Sequence, residues 1–124
     1  YSVYAGVHQG RYASSCVVSL QTRNDAVAQA VQLVRDEMAR IGREPVTAAE
    51  LDSAKSYLIG SFPLRLDTSG KVARFVAAVE EGGLGLDYPD RYKERIGRVT
   101  AADVQRVAAR YLDPATFDSV MVGK

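Results

Sequence analysis

The first eight residues alternate between two sets of side chains, as a β-strand requires. One set is Tyr1, Val3, Ala5 and Val7, and the other is Ser2, Tyr4, Gly6 and His8. A second alternating segment, residues 12–21, follows a turn-like stretch around Gly10, and its positions 12, 14, 16, 18 and 20 share one face. A period of two in both segments predicts an antiparallel hairpin.

The apolar period then changes from two to between three and four. This spacing predicts an amphipathic helix over residues 24–42, with Asn24 as its N-cap and Gly42 as its C-terminal stop. The stripe that would face the core consists of Val27, Ala30, Val31, Val34, Met38 and Ile41.

Four more helices are predicted before residue 114, because each segment combines apolar positions at helical spacing with capping or terminating residues. The predicted boundary residues are the capping pair Thr47 and Glu50, the breaker Pro63, the cap Asp67 or Thr68, the terminating Gly82 and Gly83, the first-turn Pro89, the capping pair Thr100 and Asp103, and the terminating Pro114.

Residues 117–122 alternate again and predict a last strand. The element order is then β-β-α-α-α-α-α-β, which indicates the α+β class, with helices packed on one face of an antiparallel sheet. Three strands make a thin sheet whose edges expose unpaired backbone groups. We therefore expect residues 1–124 to form a single incomplete domain, completed by further strands or by a second copy pairing through the exposed sheet edges.

Composition and charge exclude several function classes. The chain has 124 residues, a net charge of +1 and basic residues interspersed among acidic ones, which argues against a dedicated nucleic-acid surface. No apolar run has the length of a membrane span. The single cysteine, Cys16, has no partner for an internal disulfide.

Few residues are suited to catalysis. One histidine, His8, cannot build a His-rich zinc site by itself, and we interpret it as a solvated residue. Cys16 is interpreted as a small hydrophobe on a strand, because no basic neighbour is in place to activate it. The glycines after Glu80 and Glu81 lack the Lys-Ser/Thr of a phosphate loop, and these two carboxylates are interpreted as solvated surface.

Several stretches, taken in order, resemble the pitrilysin/insulinase-type zinc metallopeptidases, in particular the branch of mitochondrial processing peptidase and its bacterial relatives. They are "YSVYAG", "VTAAELDSAKSYLIGSFPLRLDTS", "DYPDRYKERIGRVTAADVQRVAARYLDP" and the terminal "SVMVG". The resemblance implies a clamshell of two α+β halves. The sequence contains no His-x-x-Glu-His, so it resembles the latter part of the metal-free C-terminal half.

The resemblance also implies a role for Tyr1. In the family, an Arg seven residues before a Tyr contributes from the metal-free half to the catalytic cavity, and Tyr1 matches that Tyr while the Arg position lies upstream. A neutral phenol is a hydrogen-bond donor suited to a developing oxyanion on a peptide carbonyl. The alternative is that Tyr1 is a strand aromatic on the face of Val3, Ala5 and Val7.

Arg65, in "PLRLDT", is a second candidate with two interpretations. It can pair with Asp67 or a helix end and fix the turn after Pro63, or it can contact a substrate carboxylate. The residues favour the structural role, so Arg65 is not assigned to a site.

The function expected from the resemblance is that of a non-catalytic, substrate-holding domain of a zinc metalloendopeptidase. Its expected partners are an N-terminal catalytic half or a catalytic partner subunit that carries the zinc, and an extended peptide substrate. Relatives suggest a bacterial periplasmic or cytoplasmic location. The alternatives are an inactive scaffold or assembly subunit of the same fold, and an unrelated α+β ligand-binding domain.

Overall fold

The computed structural model describes residues 2–8, 10 and 12–123, and within them it forms a mixed α+β structure. The strands pair as one antiparallel sheet, which confirms the α+β class. The elements are β1 (Ser2–His8), β2 (Ser15–Gln21), α1 (Val27–Arg43), α2 (Ala48–Ser61), α3 (Ser69–Glu81), α4 (Tyr88–Arg98) and α5 (Ala101–Tyr111), with 3-10 turns at Asn24–Ala26, Phe62–Arg65 and Pro114–Thr116.

The chain divides into two compact units. The sheet unit contains residues 1–44 and 105–124, and the helical unit contains residues 45–104. Each unit is described separately below. The expectation that residues 1–124 are one incomplete domain stays a prediction.

The sheet unit contains the predicted antiparallel hairpin, although β2 begins at Ser15 rather than at residue 12. Val3 lies opposite Leu20, Ala5 opposite Val18, and Val7 opposite Cys16. On β2 the residues of this face are half-buried, and a groove beside them is lined by Val31, Val34 and Met38 of α1. The apolar stripe of α1 therefore lies over the β2 half of the sheet face, as the helical spacing predicted.

Both predicted ends of α1 are wrong. Asn24 begins a 3-10 turn, and the residue preceding the α-helix is Ala26, without a side-chain capping bond. Gly42 lies inside the helix rather than after it. A Cβ at Gly42 would lie 3.3 Å from Ala109 Cα, so this glycine allows α1 to approach the backbone of α5 closely.

The predicted last strand is also wrong. Residues 117–123 have no regular secondary structure. Instead of a backbone ladder, side-chain contacts hold the segment: Arg35 of α1 donates to the Pro114 carbonyl at 3.4 Å and to Ser119 Oγ at 3.2 Å. Val120 lines the groove beside Val18 and Leu20 of β2, yet Val120 and Val122 are almost fully exposed, so the segment borders the apolar face without packing tightly on it.

The core of the helical unit is a cluster of aromatic rings. Phe62 stacks on Tyr92 with centroids 4.2 Å apart, and Phe75 meets Phe62 edge-on at 5.7 Å. Tyr88 packs against Tyr92 at 6.0 Å. Tyr92 of α4 and Val79 of α3 are buried. Offset and edge-to-face ring pairs add stability beyond their buried area.

The helix boundaries of this unit follow the sequence closely. The side chain of Thr47 accepts from the Glu50 amide at 3.2 Å, and Glu50 Oε2 accepts from the Thr47 amide at 2.8 Å, as a capping box requires. Thr100 and Asp103 form the same reciprocal pair. Thr68 caps α3, and Pro63 lies in the 3-10 turn that ends α2.

A Schellman turn ends α3, as the paired glycines predicted. The Leu84 amide donates to the Val79 carbonyl at 3.0 Å, and the Gly83 amide donates to the Glu80 carbonyl at 3.1 Å. Gly83 has a φ of 59°, the left-handed conformation that this motif needs.

No helix in the described part of the chain combines the length and the apolar character that crossing a membrane requires.

Candidate functional site

β1 has one edge without a strand partner, because the sheet of the described residues has the order β1-β2. Its sequence, SVYAGVH, contains no proline and no Lys, Arg, Asp or Glu. Natural edge strands usually carry such residues to prevent pairing with other chains. An unprotected edge of seven residues, about 23 Å long, is suited to accept an extended peptide by strand addition.

The side chains of β1 add apolar surface beside this edge. Val3 and Val7 lie on the face that α1 covers over β2, yet they are 71% and 67% exposed. Tyr4 lies on the opposite face, its ring over Gly6, where an added Cβ would come within 2.9 Å of ring carbon Cε1. A peptide paired with β1 would therefore find apolar neighbours on both faces of the sheet.

Tyr1 is the residue immediately before β1 in the chain, and it lies outside the described residues. Its predicted role as a substrate hydrogen-bond donor stays a prediction.

The other sequence candidates occupy different places among the described residues. His8 is exposed at the end of β1. Cys16 is half-buried, and it lines the groove with Val31, Val34 and Met38, which agrees with its interpretation as a small hydrophobe. Glu80 and Glu81 are exposed at the end of α3.

One of the interpretations offered for Arg65, a pairing with Asp67, is wrong. Lys71 is the partner of Asp67, with Nζ 2.8 Å from Oδ1, and it also donates to the Leu64 carbonyl at 2.9 Å. Arg65 lies over the ring of Tyr92, with Cζ 5.9 Å from the centroid. Asp67 pairs with Lys71 because Lys71 lies four residues later, on the first turn of α3, which is the spacing at which helical ion pairs form.

Sequence reasoning missed Lys71 and the stacking position for Arg65. The four-residue spacing between Asp67 and Lys71 is a local signal that predicts their ion pair. The second depends on Tyr92, which lies 27 positions further along the chain, and no local pattern connects the two residues.

Within the part of the chain that the structure describes, no group of three or more His, Cys, Asp or Glu side chains is placed to hold a metal ion. β1 itself offers backbone N–H and C=O groups and exposed apolar side chains at its edge.

A comparison with protein families supports the resemblance found in the sequence. Residues 1–58 match the family described as the Peptidase M16 inactive domain. This segment contains β1, β2, α1 and most of α2, so the candidate edge lies within it. The match supports the M16 peptidase family and a non-catalytic domain of such a peptidase. No curated protein matches the chain.

Proposed function

We propose that this chain is the substrate-holding, metal-free part of a zinc metalloendopeptidase of the M16 family, close to the processing-peptidase branch. The observation that carries the proposal is the match of residues 1–58 to the M16 inactive domain, because β1 and its unprotected edge lie inside that segment. An inactive domain of this kind works with a catalytic half. That half, or a catalytic partner subunit, would supply the zinc and close over the substrate as a clamshell.

Capture of the peptide follows from the properties of β1. Alternate backbone N–H and C=O groups along the open edge would pair with an extended substrate, and side chains such as Val3 and Val7 would flank it. Backbone pairing is independent of the substrate's side chains. The proposed domain therefore holds peptides with broad sequence tolerance and leaves the choice of bond to the catalytic half.

Tyr1 is proposed as a hydrogen-bond donor to the carbonyl oxygen of the scissile peptide bond. The charge that develops on this oxygen during attack by a zinc-bound water would be stabilised by the phenol. The role would raise the rate of the chemical step rather than the affinity for the ground state.

Substrate N-methylation tests the strand pairing. In the intact peptidase, methylating single amides along a peptide substrate should raise KM about tenfold at every second position, because one set of amides points to β1 and the other points away. A uniform effect along the peptide would contradict strand addition to β1.

Tyr1→Phe tests the proposed donor, with Tyr4→Phe on the same stretch as the matched control. We expect Tyr1→Phe to lower kcat about 100-fold with little change in KM, and Tyr4→Phe to change neither. Bound zinc should stay the same in both variants. If the intact protein and its partner subunits contain no His-x-x-Glu-His, the peptidase role is wrong and the inactive scaffold is the better account.

A further inference from the structure

A basic pocket lies on the helical unit, where the Phe62–Arg65 turn meets the first two turns of α3. It is lined by Leu64, Arg65, Lys71, Arg74 and Phe75. Its volume is about 390 Å³, and it is wide open to solvent. Pockets of this size accommodate a few side chains, and an open shape suits a chain passing over the surface better than an enclosed small molecule.

Two of the cations are held at the pocket by other contacts. Lys71 Nζ bonds the Leu64 carbonyl at 2.9 Å and Asp67 Oδ1 at 2.8 Å, which also fixes the turn. The guanidinium of Arg65 rests over the buried ring of Tyr92. Because these side chains are already placed, a ligand would not have to restrict their motion on binding.

The charge at the basic pocket is unbalanced. Arg65, Lys71 and Arg74 are positive, and Asp67 is the acidic side chain that pairs with one of them. Arg74 has no acidic partner among the described residues; its Nη1 lies back over α3, 3.8 Å from where a Cβ of Gly70 would be. Lys71 and Arg74 are one helical turn apart, so they occupy the same side of α3.

The floor of the basic pocket is apolar. Leu64 is 63% exposed, and Phe75 is the half-buried ring that borders the aromatic core. An exposed leucine beside an aromatic ring, surrounded by cations, is a combination that favours a ligand with both apolar surface and negative charge.

We propose that the basic pocket binds an acidic peptide segment in which a large apolar side chain lies between carboxylates. The apolar side chain would cover Leu64 and Phe75, and the carboxylates would pair with Arg65 and Arg74, whose planar guanidinium groups suit bidentate contacts. A small inorganic anion would use the cations and leave the floor exposed. The inference is independent of the proposed function, since it involves neither β1 nor Tyr1.

Fluorescence anisotropy with three labelled eight-residue peptides tests the ligand class. The first carries Leu-Phe flanked by Asp and Glu, the second replaces Leu-Phe with Ser-Ser, and the third replaces the acidic residues with Lys. We expect the first peptide to bind at least fivefold more tightly than either of the others. Equal binding of the first and second peptides would overturn the role of the apolar floor, and with it the proposal.

Variants of the intact protein test the location. Arg74→Glu and Leu64→Ser should each weaken the first peptide about fivefold, whereas Lys93→Glu, the same charge change at an exposed position outside the pocket, should weaken it less than twofold. Equal effects of Arg74→Glu and Lys93→Glu would show nonspecific attraction and overturn the proposal. If far-UV circular dichroism shows that Leu64→Ser perturbs the fold, the two charge variants decide the question.

Discussion

The helical unit buries the central ring of its aromatic core among its own residues, whereas the sheet unit leaves half of one sheet face uncovered. In the first, the ring of Tyr92 is stacked and only 7% exposed. In the second, Val3 and Val7 share a face with Val18 and Leu20, yet α1 covers the β2 residues alone. Exposed apolar residues on an unprotected edge strand form a surface suited to contact with another chain or element. The unit that contains this surface is also the one that largely coincides with the M16 match.

The largest expected effect is in the aromatic core. Tyr92→Ala should lower the free energy of unfolding by about 3–4 kcal/mol, because it removes the ring that stacks on Phe62 and leaves a cavity. Tyr57→Ala, on the exposed side of α2, should cost less than about 0.5 kcal/mol. Urea denaturation followed by circular dichroism measures both, and equal losses would show that the rings do not form the core.

A matched pair of valine-to-alanine variants tests whether α1 covers only the β2 side of this sheet face. Val18→Ala should cost about 1–1.5 kcal/mol, and Val3→Ala, the same change on the same face, less than about 0.5 kcal/mol. Urea denaturation at two protein concentrations measures the difference. A large and concentration-dependent cost at Val3 would mean that a second copy covers β1 in solution.

Alanine substitutions at two helical glycines separate the effect of close helix packing from the effect of helix propensity. Gly60→Ala should raise stability by roughly 0.5–1 kcal/mol, since nothing lies within 4 Å of the added Cβ. Gly42→Ala should be less favourable by about 1 kcal/mol, because the same methyl group meets the backbone of Ala109 at 3.3 Å. Thermal denaturation compares them, and equal gains would contradict the tight approach of α1 to α5.

The smallest effect concerns the partner of Asp67. A double-mutant cycle of Asp67→Asn with Lys71→Met should give a coupling of about 0.3–0.5 kcal/mol that falls with added salt, as expected for a pair whose side chains are about 40% exposed. The matched cycle with Arg65→Met should give no coupling. Coupling to Arg65 instead would restore the pairing that the sequence suggested.

Local signals in the sequence predicted the local structure well. The capping pairs at Thr47 and Thr100 and the paired glycines after α3 were all found where expected, because each depends on residues within one helical turn. The hairpin faces followed from alternation for the same reason.

Features that depend on distant residues were not predictable. A glycine at position 42 is typical of a helix C-terminus. Its place inside α1 is explained by the close approach of Ala109, which local sequence does not reveal. Residues 117–122 alternate like a strand, yet a strand also needs a partner, which alternation does not provide. At the candidate site, the thin sheet predicted exposed edges in general, but assigning one of them to β1 requires the sheet order, which no single segment contains.

The turn after α3 has a consequence for chirality. Gly83 adopts nearly the mirror image of the right-handed helical conformation, and nothing lies within 4 Å of the position of its missing Cβ. An L-alanine there would cost about 1–2 kcal/mol through its backbone conformation alone. A D-alanine introduced by chemical synthesis would favour the native geometry, so the handedness of a single α-carbon would determine whether this turn gains or loses stability.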